Sequence, residues 1–170
     1  YDFMTRNLGF TTLVNSDLNS AALGLGGLTY GVNTVEMAAA YSAFANNGVY
    51  TRPRTYIEVR DNKGNLVLEN KQESWVAMKE STAYSINELL KGVVRSGTGT
   101  EARLTGMPVG GKTGTTTNNC DRWFVGFTPY YVAAVWTGYD MPEYMNFSGN
   151  PAAQIWKIVM DPIHKDLPTK

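Results

Sequence analysis

The sequence has 170 residues, and 15 basic side chains cancel 15 acidic ones. Charge balance removes any blanket electrostatic case for nucleic acid or an anionic membrane surface, and 43% hydrophobic with 18% charged residues is not a disordered composition. No apolar run approaches the roughly 20 residues that cross a bilayer, and a single cysteine (Cys120) with a single histidine (His164) excludes a disulfide framework and a Cys/His zinc site.

Tyr1-Asp2-Phe3-Met4 carries no leader pattern and reads as a start in mid-protein. Residues 1–31 are rich in Gly, Asn and Ser, with one short helix early on. Gly24 to Gly31 holds four glycines in eight residues, which suit neither helix nor strand, and reads as a sharply turned loop. A helix is predicted from Val35 to Asn46, capped by Asn33 or Thr34, with Glu36 in its first turn and Asn47-Gly48 as a left-handed stop. Its run of alanines puts small residues on nearly every face, which suits an interior helix.

A β-hairpin follows, with Tyr56 to Arg60 alternating, Asp61 to Asn65 turning, and Leu66-Val67-Leu68 returning. Thr82 to Val94 reads as a second helix, with Ala83, Ile86, Leu89, Leu90, Val93 and Val94 at helical spacing. Ser96 to Thr100 breaks it, and Glu101 to Leu104 forms one more turn. Three strands come next, at Val109 to Thr116, Trp123 to Phe127 and Val132 to Gly138. The last two are antiparallel neighbours across the short Thr128–Tyr131 link. Asn150-Pro151 signals a final helix, with Ile155, Trp156, Val159 and Met160 as its buried stripe and His164 solvated near its end. The fold class is therefore α+β, an antiparallel sheet flanked by helices.

One lysine carries the chemistry, and it admits two readings. Gly106 to Thr113 matches the phosphate-loop pattern G-x-x-x-x-G-K-[ST], which needs a hydrophobic strand before it and a helix after it. Arg103-Leu104-Thr105 is no such strand, and Thr113-Gly114-Thr115-Thr116-Thr117 is poor helix material. The other reading is a Lys112-Thr113-Gly114-Thr115 strand. Alternation puts Thr113 and Thr115 on one face, and Gly114 leaves room for a neighbouring backbone. Ammonium, hydroxyls and a bare strand edge suit an extended peptide with a carboxylate. A solvated Thr-rich edge strand is the plain alternative.

The wider pattern resembles the C-terminal half of the transpeptidase domain of class A penicillin-binding proteins, over most of residues 18 to 162. The resemblance runs through Gly26-Gly27-Leu28-Thr29-Tyr30-Gly31, Glu36 to Tyr41, Phe44 to Tyr50, Leu90 to Val94 and Gly97-Thr98-Gly99-Thr100. Its most specific parts are Gly110 to Thr116, Asp121 to Pro129 and Trp136 to Asp140. Lys-Thr-Gly is one of three elements in such enzymes, beside S-x-x-K and a Ser-x-Asn type motif. None of the eight lysines has a serine three residues earlier. Of the two Ser-x-Asn triplets, Ser148-Gly149-Asn150 falls after Lys112, the wrong order for the family, and Ser85-Ile86-Asn87 lies inside the predicted Thr82 to Val94 helix.

The resemblance implies one transpeptidase domain whose N-terminal part, with the nucleophilic serine, lies outside these 170 residues, on the same or a separate chain. It implies peptidoglycan cross-linking through an acyl-serine on stem peptides ending in D-Ala-D-Ala, acylation by β-lactams, and no cofactor, metal or nucleic acid. It also implies a membrane-anchored parent with this domain outside the cytoplasm, bifunctional with a glycosyltransferase module. Lys112 would supply positive potential. Thr113 and Thr115 would bind the substrate carboxylate, Gly114 would line the strand edge, and Thr115 N–H would be one oxyanion donor. Trp123 and Phe124 read either as core or as a substrate wall. A non-catalytic peptidoglycan-binding relative is the alternative. Asp121 fixes its loop or pairs with Arg122, Cys120 is a bystander, Tyr30 and Gly31 are structural, and nothing joins Glu101 to Asp140.

Overall fold

The structure is a computed structural model describing residues 1–170. The chain opens with short turns at Phe3–Asn7 and Asn15–Leu18, then helix α1 (Ser20–Gly24), whose Asn19 side chain accepts from Ala21 N and Ala22 N. Gly24 thus closes a helix, and the turned loop begins one residue later than expected. Buried Asp17 holds that loop: its carboxylate accepts Thr29 Oγ1 at 2.6 Å, Thr29 N at 2.7 Å and Val14 N at 2.9 Å. The Thr29 hydroxyl first, then the two amides, holds the Asp17 carboxyl below the usual carboxylate range. No motif in the sequence marks Asp17, because its three donors come from two separate loops.

Helix α2 (Thr34–Ala45) is capped by Asn33, whose Oδ1 accepts Glu36 N at 2.8 Å. Only one of its small faces is enclosed, through Ala39, Ala40 and Ala43, while Val35 is exposed. After it come β1 (Val49–Thr51), β2 (Glu58–Arg60), β3 (Leu66–Glu69) and β4 (Ser74–Val76). The β2–β3 hairpin matches the alternation, with Tyr56 and Ile57 lying before its first strand. The β1–β4 ribbon has no sequence signature, because each strand spans only three residues, too few to show a period. Tyr50 pairs with Trp75, their rings 4.6 Å apart, which closes a first core with Leu8, Phe10, Leu13 and the α2 alanines.

Helix α3 (Glu80–Ser96) starts two residues before the expected Thr82 and buries Ala83, Leu90 and Val94. Leu89, expected on the buried stripe, faces solvent. The extra turn after it covers Thr100–Ala102 rather than Glu101 to Leu104. Strands β5 (Gly110–Thr115), β6 (Asp121–Phe127) and β7 (Val132–Gly138) form one antiparallel sheet in that order. Helix α4 (Pro151–His164) is capped by Asn150, which accepts Ala152 N at 3.0 Å.

Helix α4 covers the sheet face that carries Phe124, Ala133 and Val135, and α2 lies against the face of Val125 and Phe127. Trp156 is the centre of the second core: it is fully buried, meets Phe124 edge-on at 5.3 Å, and donates Nε1–H to Ala133 O at 3.2 Å. Two expectations for α4 need correction. Its buried stripe is Ala152, Ala153, Trp156, Met160 and His164, with Ile155 and Val159 turned outward. His164 is not solvated but 6% exposed: Nδ1–H donates to Met160 O at 2.7 Å, and Nε2 accepts the Thr128 hydroxyl at 2.8 Å. Thr128 Oγ1 in turn accepts Tyr130 N and Tyr131 N, so one hydroxyl ties the β6–β7 turn to the end of α4.

Candidate functional site: the Lys-Thr-Gly edge strand

Lys112 lies in the middle of β5, and Thr113, Gly114 and Thr115 continue the strand. That removes the phosphate-loop reading, which requires a helix to leave at Lys112. Strand β5 ends the sheet, pairs only with β6, and finds no backbone partner on its other side.

Glycines let β5 lie flat against its neighbour. A Cβ on Gly110 would stand 2.6 Å from Phe127 Cζ, and one on Gly111 would stand 2.6 Å from Phe124 Cζ. The two rings of β6 fold across β5 on opposite faces of the sheet, and any side chain at those positions would collide with them. Gly114 has a related reason for being bare, since its Cβ would meet Trp123 Cβ at 3.0 Å. The space it leaves is thus used within the sheet, by the partner strand, and not only at the free edge.

The exposed Lys112 ammonium folds back onto its own strand and donates to Thr113 O at 2.9 Å. Register places its side chain on the Val125 and Trp123 face, whereas Thr113 and Thr115 share the face of Phe124 and Arg122. The strand therefore presents a cation on one side of its edge and two hydroxyls on the other. Thr113 Oγ1 lies 2.8 Å from Thr98 Oγ1, in the loop after α3. Trp123 and Phe124 separate as alternation demands: Phe124 is core, and half-buried Trp123 shares the face of Lys112.

The loop leaving β5 is held by Asp121. Its Oδ2 accepts Thr116 Oγ1 at 2.7 Å, and its Oδ1 accepts Trp136 Nε1 at 2.8 Å. Asp121 fixes the loop and does not pair with Arg122, whose guanidinium donates to Asn119 Oδ1 at 2.8 Å. Arg122 sits directly across from Thr115, with Nε buried and unpartnered. No local pattern places Arg122 beside the hydroxyl face, because only the register brings it there. Cys120 has no sulfur partner. Glu101 is structural, accepting Asn150 N at 2.8 Å beside the α4 cap. No cluster of His, Cys, Asp or Glu capable of holding a metal ion occurs.

A groove of about 800 Å³ lies elsewhere, between α2 and the β6–β7 turn, and is lined by residues such as Ala38, Ser42, Arg52, Thr128, Tyr131 and Ala134. It borders the outer edge of β7, which pairs with no other strand.

The chain is thus an α+β sheet domain whose terminal strand carries a cation, two hydroxyls and an unpaired backbone edge. The family described as penicillin binding protein transpeptidase domain matches residues 2–161, and the chain belongs to that family. It is 45% identical over 161 residues to penicillin-binding protein 1A of Clostridium acetobutylicum, covering 94% of this chain and 20% of that protein. It is 38% identical over 151 residues to penicillin-binding protein 4 of Bacillus subtilis, covering 87% and 24%. The chain thus spans about a fifth of the length of the curated relatives it matches. Among solved structures, the penicillin-binding protein PonA1 of Mycobacterium tuberculosis superposes with a TM-score of 0.80 at 21% identity, over 99% of this chain and 50% of that one. PonA1 has also been solved in complex with penicillin V. The D,D-transpeptidase domain of a peptidoglycan glycosyltransferase from Eggerthella lenta gives a TM-score of 0.68 at 27% identity, over 82% and 34%.

Proposed function

We propose that the chain is the C-terminal part of a serine D,D-transpeptidase that cross-links peptidoglycan stem peptides and is acylated by β-lactams. Its contribution is the β5 edge, while the nucleophilic serine comes from the upstream part of the same domain. That part packs where the groove beside α2 and the unpaired β7 edge lie. The parent protein works on the outer face of the cytoplasmic membrane and carries a glycosyltransferase module. No helix of this chain is long and apolar enough to cross a membrane.

In this reading the serine Oγ attacks the penultimate D-Ala carbonyl. The C–N bond to the terminal D-Ala breaks, and the departing amine takes up a proton. An amine of a second stem peptide then attacks the ester, releasing the serine with its proton. Thr115 N–H stabilises the oxyanion, Thr113 and Thr115 hydroxyls hold the terminal carboxylate, and Lys112 adds positive potential. Gly114 lets the peptide lie along the edge, and Trp123 walls the Lys112 side. The same groups bind the carboxylate of a β-lactam.

The single observation that carries this reading is Lys112 standing exposed within an edge strand whose outer backbone is unpaired. The test is labelling of the full-length protein by a fluorescent penicillin. Wild-type protein should label, and Lys112→Gln should slow acylation by about 10²–10³, the scale of one lost electrostatic contact in an acyl-transfer site. A folded wild-type protein that never labels while retaining peptidoglycan binding would favour the non-catalytic alternative.

A further inference from the structure

Thr98 belongs to a loop that is pinned at several points. Gly97 N and Gly99 N both donate to Val93 O, at 3.0 and 3.1 Å, closing the end of α3. Arg103 reaches back to Val94 O at 3.0 Å and Arg95 O at 2.5 Å, covering carbonyls that the helix leaves unpaired. Gly99 is buried, and a Cβ there would touch Phe124 and Val93 at 3.3 Å. The loop is therefore pressed against the second core, and Thr98 is presented to β5 from a fixed backbone.

At its tip, Thr98 Oγ1 and Thr113 Oγ1 stand 2.8 Å apart, and neither hydroxyl makes another hydrogen bond. Each carries one proton. One proton is spent between them, which leaves one free O–H at an exposed site with no acceptor in the chain. When Thr98 donates, the unused proton is that of Thr113 and aims outward. A donor that is itself hydrogen-bonded to another donor is polarised and binds an acceptor more strongly. The pair is thus arranged to donate to an acceptor from outside, on a strand that also carries the Lys112 ammonium, 2.9 Å from Thr113 O.

We propose that Thr98 is a positioning residue for carboxylate recognition. Its hydroxyl donates to Thr113 and fixes the Thr113 proton on the carboxylate of the peptide or β-lactam. The inference rests on the transpeptidase reading and adds to it a residue from outside the Lys-Thr-Gly strand.

The test measures second-order acylation rates of the full-length protein with a fluorescent penicillin, offered as the free acid and as its methyl ester. Thr98→Val should slow the free acid about tenfold, the size of a lost hydrogen bond to a charged group acting through one intermediary. With the ester, the change should stay within about twofold, and Thr98→Ser should restore the acid rate. In a Thr113→Val background, Thr98→Val should cost nothing further, since the relay is already cut. Equal acid rates for wild type and Thr98→Val overturn the inference, as do equal losses on acid and ester, which mark a purely structural role. Should the valine variant not fold, Thr98→Ala is compared with Thr98→Ser by the same ratio of acid to ester. A wild-type protein that labels with neither probe overturns the transpeptidase reading itself.

Discussion

Two antiparallel hairpins in this chain met different fates. In β5–β6, aromatic rings from one strand lie over glycines of the other, and helices cover both faces. In β2–β3, Val59, Leu66, Val67 and Leu68 all remain exposed, and no helix packs on either face. That second hairpin is held by its own polar turn. Asp61 accepts Lys63 N and Asn65 N at 2.8 Å and Asn65 Nδ2 at 2.9 Å, while Arg60 forks onto Glu58. An isolated two-stranded hairpin is marginal in water, so its turn chemistry matters more than its side chains. Alternation of apolar residues announces a strand but does not say what will cover it.

The largest expected effect lies at the covered hairpin. Trp156→Ala removes the ring that seals Phe124 and the hydrogen bond to Ala133 O, and should cost about 3–5 kcal/mol in urea unfolding. A loss under 1 kcal/mol would mean that α4 does not seal the sheet. A smaller, local effect belongs to the exposed hairpin and depends on pH. The Asn65 side chain and amide, followed by neighbouring amides, hold the Asp61 carboxyl below its ordinary value. A lowered folded-state pKa contributes stability that is present above the unfolded carboxylate range and is lost as pH falls through the folded value. Protection of the Asn65 amide, relative to an unstructured amide at the same pH, should therefore fall on acidification below that range, while Val125 in β6 stays protected until the whole fold opens. Simultaneous loss at both sites would erase the distinction between the hairpins. The smallest effect is Leu68→Thr, which should change stability by no more than about 0.5 kcal/mol, because Leu68 is 53% exposed. A loss above 1 kcal/mol would reveal a covering surface for this face.

The longer elements were legible because their periods are long enough to read. Helix α2 and its Asn33 cap, helix α3, the three strands of the main sheet and the Asn150-Pro151 start of α4 all follow from local patterns. The β1–β4 ribbon did not, since its partners are three-residue segments about 25 positions apart, from Val49–Thr51 to Ser74–Val76. The burial of His164 leaves no local pattern for a related reason. Near a chain end a histidine reads as solvated, yet the Thr128 hydroxyl and the Met160 carbonyl supply both of its ring partners. Within the candidate site, the Lys112–Thr115 strand was visible, but Thr98 and Arg122 were not singled out. They reach Thr113 and Thr115 only through the α3 loop and the β5–β6 register.

Residue order alone determined the α+β class, the Lys-Thr-Gly-Thr strand and the family to which it points, because these rest on contiguous residues and short-range stereochemistry. Tertiary structure alone decided which faces are covered, why Gly110 and Gly111 must lack side chains, and which hydroxyl stands beside Thr113. Those outcomes depend on contacts between segments distant in sequence, where packing and hydrogen-bond satisfaction select one arrangement among many that local patterns allow.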